Sequence, residues 1–100
     1  MKTDELIEKV IAWGKLHKID NPYRQLNKVT EELGELAHEV CRDRFDSVEL
    51  KDSIGDVLVA TIVLADICGQ NPAKCLEDTY NEIAERKGVT SQGSFIKDQD

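Results

Sequence analysis

Between Val57 and Ile67 the chain reads VLVATIVLADI, and this run constrains the fold more than any other part of the sequence. With Ser47 as a capping residue before it and Gly69 as a stop after it, the run forms the body of a helix. At 100° per residue, Val57, Leu58, Val59, Ala60, Ile62, Val63, Leu64, Ala65 and Ile67 cover every side of the cylinder. A helix that is apolar all round is buried all round. A chain of 100 residues makes one small domain, whose other elements can hardly enclose such a helix. The expectation is an obligate homo-oligomer, a dimer or tetramer. The stretch from Val57 to Ala65 is far too short to cross a bilayer and carries Thr61, so no membrane partner is expected.

The other segments also read as helices. Thr3 before Asp4 and Glu5 predicts an N-cap, with Leu6, Ile7, Val10, Ile11 and Gly14 following at helical spacing and the end near Lys15 to Lys18. Asn21-Pro22 restarts the chain, Asn as cap and Pro in the first turn. Leu26, Val29, Leu33, Leu36, Ala37 and Val40 then trace the expected core stripe of a second helix ending about Cys41. Asn71-Pro72 opens a fourth helix with Leu76, Tyr80, Ile83 and Ala84 on a narrow stripe and Gly88 as its stop. Nothing reads as a strand. The fold class is all-α, a four-helix domain over residues 1–88, with a polar, flexible tail over 89–100 whose anchor is Phe95-Ile96.

A net charge of −7 excludes a duplex-DNA binder that relies on phosphate neutralisation, and five aromatic residues are too few for a single-strand stacking platform, so no nucleic-acid partner is expected. The acidic, soon amphipathic amino terminus lacks a signal-peptide core. Cys41, Cys68 and Cys75 form no C-x-x-C pair, and reduced, mostly buried thiols in a cytoplasmic protein are the expectation.

The second helix carries Glu31-Glu32-Leu33-Gly34-Glu35. Lys28, Glu32 and Glu35 share a narrow face, with Glu31 at its edge, roughly opposite the Leu33/Val40 stripe. Alone, that pattern is what a solvated amphipathic helix shows. The third helix shifts the balance, because Asp52 and Asp56 lie one turn apart and Asp56 directly precedes the apolar run. A carboxylate entering a buried environment costs several kcal/mol unless it is paired or metal-bound. Packed antiparallel, the two helices would face Glu32 and Glu35 with Asp52 and Asp56, and four convergent carboxylates call for a hard divalent ion, Mg²⁺ or Mn²⁺. Glu35-Leu-Ala-His38 matches one half of a helical di-iron site, but His17, the other histidine, has Gly14 three residues before it, and that reading fails.

Gln25-Leu26-x-Lys28-x-x-Glu31-Glu32-x-Gly34-Glu35-Leu36, followed by Ile54-Gly55-Asp56-Val57-Leu58, resembles the MazG-like all-α nucleotide pyrophosphohydrolases, whose hallmark is E-E-x-x-E on one helix and E-x-x-D on the next. The likeness runs from about Trp13 to Lys97. It departs at Ser53, where the family carries a metal-binding Glu. Either Asp52 supplies that charge from the adjacent helical angle or the metal takes more water. On the last helix Asn81 and Arg86 match, while Ile83 stands where lysine is common.

The resemblance implies Mg²⁺-dependent hydrolysis of a nucleoside triphosphate to the monophosphate and pyrophosphate, with Mn²⁺ as a substitute. Glu32, Glu35 and Asp56 are the expected catalytic metal ligands, and Asp52 a fourth. Lys28, Glu31, Asn81, Arg86, Lys87 and Trp13 are the expected substrate contacts. Each has a plainer role available: Lys28 pairing with Glu32, Arg86 and Lys87 complementing a helix end, Trp13 packing in a core. The alternative function is a catalytically weak or inactive homologue acting as a nucleotide-binding or helical interaction module. A purely structural helical dimer is a third reading.

Overall fold

A computed structural model describes residues 1–98. Its elements are α1 (Thr3–Leu16), α2 (Pro22–Cys41), α3 (Val48–Ile67), α4 (Pro72–Ala84), β1 (Gly88–Ser91) and β2 (Ser94–Lys97). The helix starts follow local chemistry. Asn21 Oδ1 accepts from the backbone N–H groups of Tyr23 and Arg24, both at 3.0 Å, and Pro22 occupies the first turn. Ser47 Oγ accepts from Leu50 N–H and Asn71 Oδ1 from Lys74 N–H. Gly69 ends α3 in the left-handed region, at φ +77°. Two helix-end expectations are corrected. Lys2, not Thr3, stands at the N-cap of α1, without a side-chain hydrogen bond. Helix α4 stops at Ala84, and Gly88 opens a strand instead.

That strand overturns the expectation of a strand-free chain. Val89, Thr90, Phe95 and Ile96 suit a pleated ribbon. Gln92 and Gly93 both adopt positive φ, so a two-residue turn closes β1 and β2 into an antiparallel hairpin with Ser91 opposite Ser94. Gly88 is required, because a Cβ there would overlap the Ile96 carbonyl oxygen and approach Phe95 Cζ to 2.6 Å. Residues 99 and 100 of the expected tail lie outside the described residues.

Helices α2 and α3 form the main packed pair, and α1 lies on α3. Gln25, in the first turn of α2, reaches Ala60 in the second half of α3, and Glu39 near the end of α2 shares a cavity with Ser53 near the start of α3, so the pair runs antiparallel. Gly14 lets α1 approach closely: a Cβ there would sit 3.3 Å from Val63 Cγ1. The seam of α2 that turns inward is Gln25, Val29, Glu32, Leu36 and Glu39, spaced alternately four and three residues apart. The stripe expected to form the core is split: Val29 and Leu36 turn inward, while Leu26, Leu33, Ala37 and Val40 are exposed, Leu33 at 49%. The apolar third helix is not buried all round within the chain either: Leu58 is 58% exposed, and Ile54 is open as well. All three cysteines are exposed rather than buried, since Cys41 and Cys68 end helices and Cys75 lies on the thinly packed α4.

Leu50, Ala60 and Val63 are the buried hydrophobic side chains among the described residues, and none of them is completely sealed from solvent. The accessible surface is 8145 Å², against about 5,700 Å² for a compact monomer of this mass. The radius of gyration is 15.9 Å, against about 13 Å for a compact 100-residue domain.

Candidate active site

A cleft of about 590 Å³ opens between the start of α2, the end of α1 and the middle of α3. Glu32 and Asp56 stand at its acidic end, Trp13, Ile19, Val59, Ala60 and Val63 supply apolar wall, and Arg24, Lys18 and Lys28 bring positive charge. The local fold explains the placement. Asn21-Pro22 turns the chain sharply into α2, so Ile19 and Arg24 flank the entrance, while Gln25 and Glu32, two turns apart, point along the seam toward α3.

Glu32 is the most informative side chain here. It is 7% exposed, and its Oε1 accepts from Lys28 Nζ at 3.1 Å. Its Oε2 is buried with no hydrogen-bond partner. Such an orphan costs stability in the isolated chain. The reading of the acids as a merely solvated face therefore fails at Glu32. Lys28 also lies 3.7 Å from Glu31, and the hydrogen bond it donates to Glu32, together with both acids' charge, raises its pKa above the ordinary lysine value.

Asp56 is exposed on the rim rather than buried, because α3 turns Leu50, Ser53 and Ala60 inward and leaves Asp56 beside the opening. It shares the cleft with Glu32. Glu35 is exposed and opens onto a neighbouring cavity of about 430 Å³ with Glu31, His38, Glu39 and buried Ser53. Asp52 is exposed and lines neither cavity. The convergence of four carboxylates is thus not drawn tight: among the described residues no three His, Cys, Asp or Glu side chains are grouped closely enough to hold a metal ion. The donor types still suit a hard cation, since Glu32 carries an unpartnered buried carboxylate oxygen and Glu32 and Asp56 line the same cleft.

Trp13 lies in the cleft wall, half exposed, with His17 packed on its ring at a centroid distance of 4.9 Å. Asn81, Arg86 and Lys87, on or just after α4, line neither cavity, and Arg86 pairs with Glu82 at 3.5 Å. Lys18, Asp20, Arg24 and Gln25 are polar cleft residues that the sequence did not single out as site residues. Gln25 carried a signal, a polar residue seven positions before Glu32 on the same helical face.

Helices α2 and α3 thus pack as a pair with one cleft that carries Glu32 and Asp56 between apolar walls. The family profile of the MazG nucleotide pyrophosphohydrolase domain matches residues 21–88, and the chain belongs to that family. Two solved structures share the fold. One is the Bacillus-conserved MazG protein, a nucleotide pyrophosphohydrolase, at 21% identity and TM-score 0.70, covering 94% of this chain and 97% of that one. The other is a cyanophage S-2L MazG-like pyrophosphohydrolase bound to dGDP and three catalytic Mn²⁺ ions per active site, at 21% identity and TM-score 0.68, covering 99% of each chain. A comparison with curated proteins finds no match. The all-α MazG fold and a hydrolase class acting on nucleotides follow from the family. No helix among the described residues is long and apolar enough to cross a membrane.

Proposed function

We propose that this protein hydrolyses a nucleoside triphosphate between the α- and β-phosphates, releasing nucleoside monophosphate and pyrophosphate, with Mg²⁺ or Mn²⁺ as cofactor. The observation that carries this reading is Glu32 Oε2, a buried carboxylate oxygen without a partner, in a cleft shared with Asp56 and an apolar wall. Glu32, Glu35 and Asp56 are the proposed ligands, with Asp52 as the fourth. A divalent ion bound by them supplies charge neutralisation to the phosphate oxygens and acidifies a bound water.

The chain's own residues do the rest. Lys28 holds Glu32 Oε1 and so orients the carboxylate with Oε2 inward. Water adds to the α-phosphorus as the bond to the bridging oxygen breaks, and its proton passes to a carboxylate of this set. Arg24 and Lys18 line the cleft beside Gln25, with Asp20, and form no ion pair among the described residues. Trp13 offers an aromatic wall to the base. Asn81, Arg86, Lys87 and Glu31 remain proposed substrate contacts, the first three from outside the cleft of their own chain.

The proposed working form is a homo-dimer or tetramer. Accessible surface exceeds that of a compact monomer by roughly 2,400 Å², the scale of an obligate interface, and Leu26, Leu33, Val40, Ile54 and Leu58 present it on α2 and α3. The proposed location is the cytoplasm. A catalytically silent nucleotide-binding module is the second reading, favoured by Ser53 at the base of the cavity onto which Glu35 opens. Pyrophosphate release from a panel of ordinary and modified triphosphates with Mg²⁺ decides between them. The enzyme releases pyrophosphate and Glu35→Gln reduces that by at least about 100-fold without unfolding. Binding without turnover assigns the module.

A further inference from the structure

Gln25 sits at the heart of the cleft without a part in metal binding or hydrolysis. It is 8% exposed, and its Nε2 donates to the Ala60 carbonyl at 3.1 Å. That contact sets the orientation of the whole amide. A flipped side chain would bring its carbonyl oxygen against the Ala60 carbonyl oxygen, two acceptors in contact. With Nε2 committed to α3, Oε1 is the group left for the cleft. No donor meets it among the described residues, and it is not sealed away as Glu32 Oε2 is. A rigid helix pair therefore presents a fixed hydrogen-bond acceptor between apolar walls.

Its position says which part of a ligand it meets. Gln25 precedes Glu32 by seven residues on one face, about 10 Å along the helix axis. A nucleotide with its phosphates at the Glu32/Asp56 end reaches that far with its base, beyond the sugar. Val59, Ala60, Val63 and Trp13 around the acceptor suit the flat faces of a base.

We propose that Gln25 Oε1 reads an N–H on the edge of the substrate's base, and so selects among nucleotides by requiring a donor there. This rests on the nucleotide-hydrolase reading of the same cleft. The chemistry is one-sided: a ligand with an acceptor or a methyl group at that point leaves a buried acceptor unpaired and is rejected.

The test uses the full-length protein and the best substrate of the triphosphate panel. kcat/KM is measured for that substrate, for its analogue with the edge N–H groups methylated, and for its 3′-deoxy analogue, in wild type and in Gln25→Met. In the wild type the methylated analogue loses about 10- to 100-fold. In the variant the natural substrate falls by a similar factor, the methylated analogue loses little more, and the 3′-deoxy ratio is unchanged. Thermal unfolding of Gln25→Met checks its fold, and the wild-type analogue series stands even if the variant does not fold. A wild type indifferent to base methylation overturns the proposal, as does a variant that keeps the full methylation penalty. A penalty confined to the 3′-deoxy analogue assigns the acceptor to the sugar and overturns it too. Titration with Mn²⁺ and the same triphosphate separates the levels. A wild type that neither binds nor cleaves overturns the hydrolase reading together with this one, whereas binding without base discrimination overturns this one alone.

Discussion

Replacing Glu32 by methionine sets stability directly against function. Glu32 Oε2 is sealed from solvent with no donor, and an unsatisfied buried group costs about 1–3 kcal/mol, more when charged. Methionine is unbranched, similar in length and fills irregular space, so the substitution removes the polar atom without a large cavity. Lys28 keeps Glu31 at 3.7 Å and remains half exposed, so its lost partner offsets little. In metal-free buffer Glu32→Met is therefore expected to be more stable than wild type by ~1–3 kcal/mol. At roughly 4–8 °C per kcal/mol for a domain of this size, the rise in Tm is at least several degrees. Adding Mn²⁺ acts in the opposite sense: an ion at a hundred times its Kd stabilises the wild type by about 2.7 kcal/mol, enough to offset most or all of the difference, and stabilises the variant by less. Calorimetry at one fixed protein concentration, with EDTA and then with Mn²⁺, measures both arms. A variant less stable than wild type in EDTA, or one that gains as much from Mn²⁺ as the wild type does, refutes the assignment of Glu32 as a ligand held ready at a cost to the fold.

Two further outcomes follow from the packing. Leu58→Asp places a charge on the exposed apolar side of α3, and sedimentation velocity is expected to show a lower mass, with precipitation or partial unfolding as monomer accumulates; an unchanged mass argues against α3 as the interface. Gly14→Val drives a branched side chain into Val63 where even a Cβ lies at 3.3 Å, and chemical denaturation should show a loss of about 1–3 kcal/mol. If stability is unchanged, α1 is not tightly seated on α3.

The helices were legible because their signals are local. Asn21-Pro22, Ser47, Gly69 and Asn71-Pro72 act within a turn of their own position, and each works as its chemistry dictates. The hairpin was missed although its parts are visible: Gln92-Gly93 supplies a turn of positive φ between Val89-Thr90 and Phe95-Ile96. Four-residue strands are too short for alternation to stand out, and a polar tail masks them.

Spacing by itself determined that Glu32 and Glu35 lie within one turn of each other on one helix and Asp56 on the next, but not that Glu32 turns into the seam while Glu35 stays exposed. Which face of α2 turns inward was decided only by tertiary packing. Periodicity marks Leu26, Leu33 and Val40 as the side that must leave water, but it does not say whether the surface that covers them belongs to the same chain. Here α3 takes the Gln25–Glu32–Glu39 seam instead, so a carboxylate is buried and leucines are left open. Apolar burial is non-directional and any matching surface satisfies it, whereas a carboxylate oxygen without a donor is satisfied only by a specific partner.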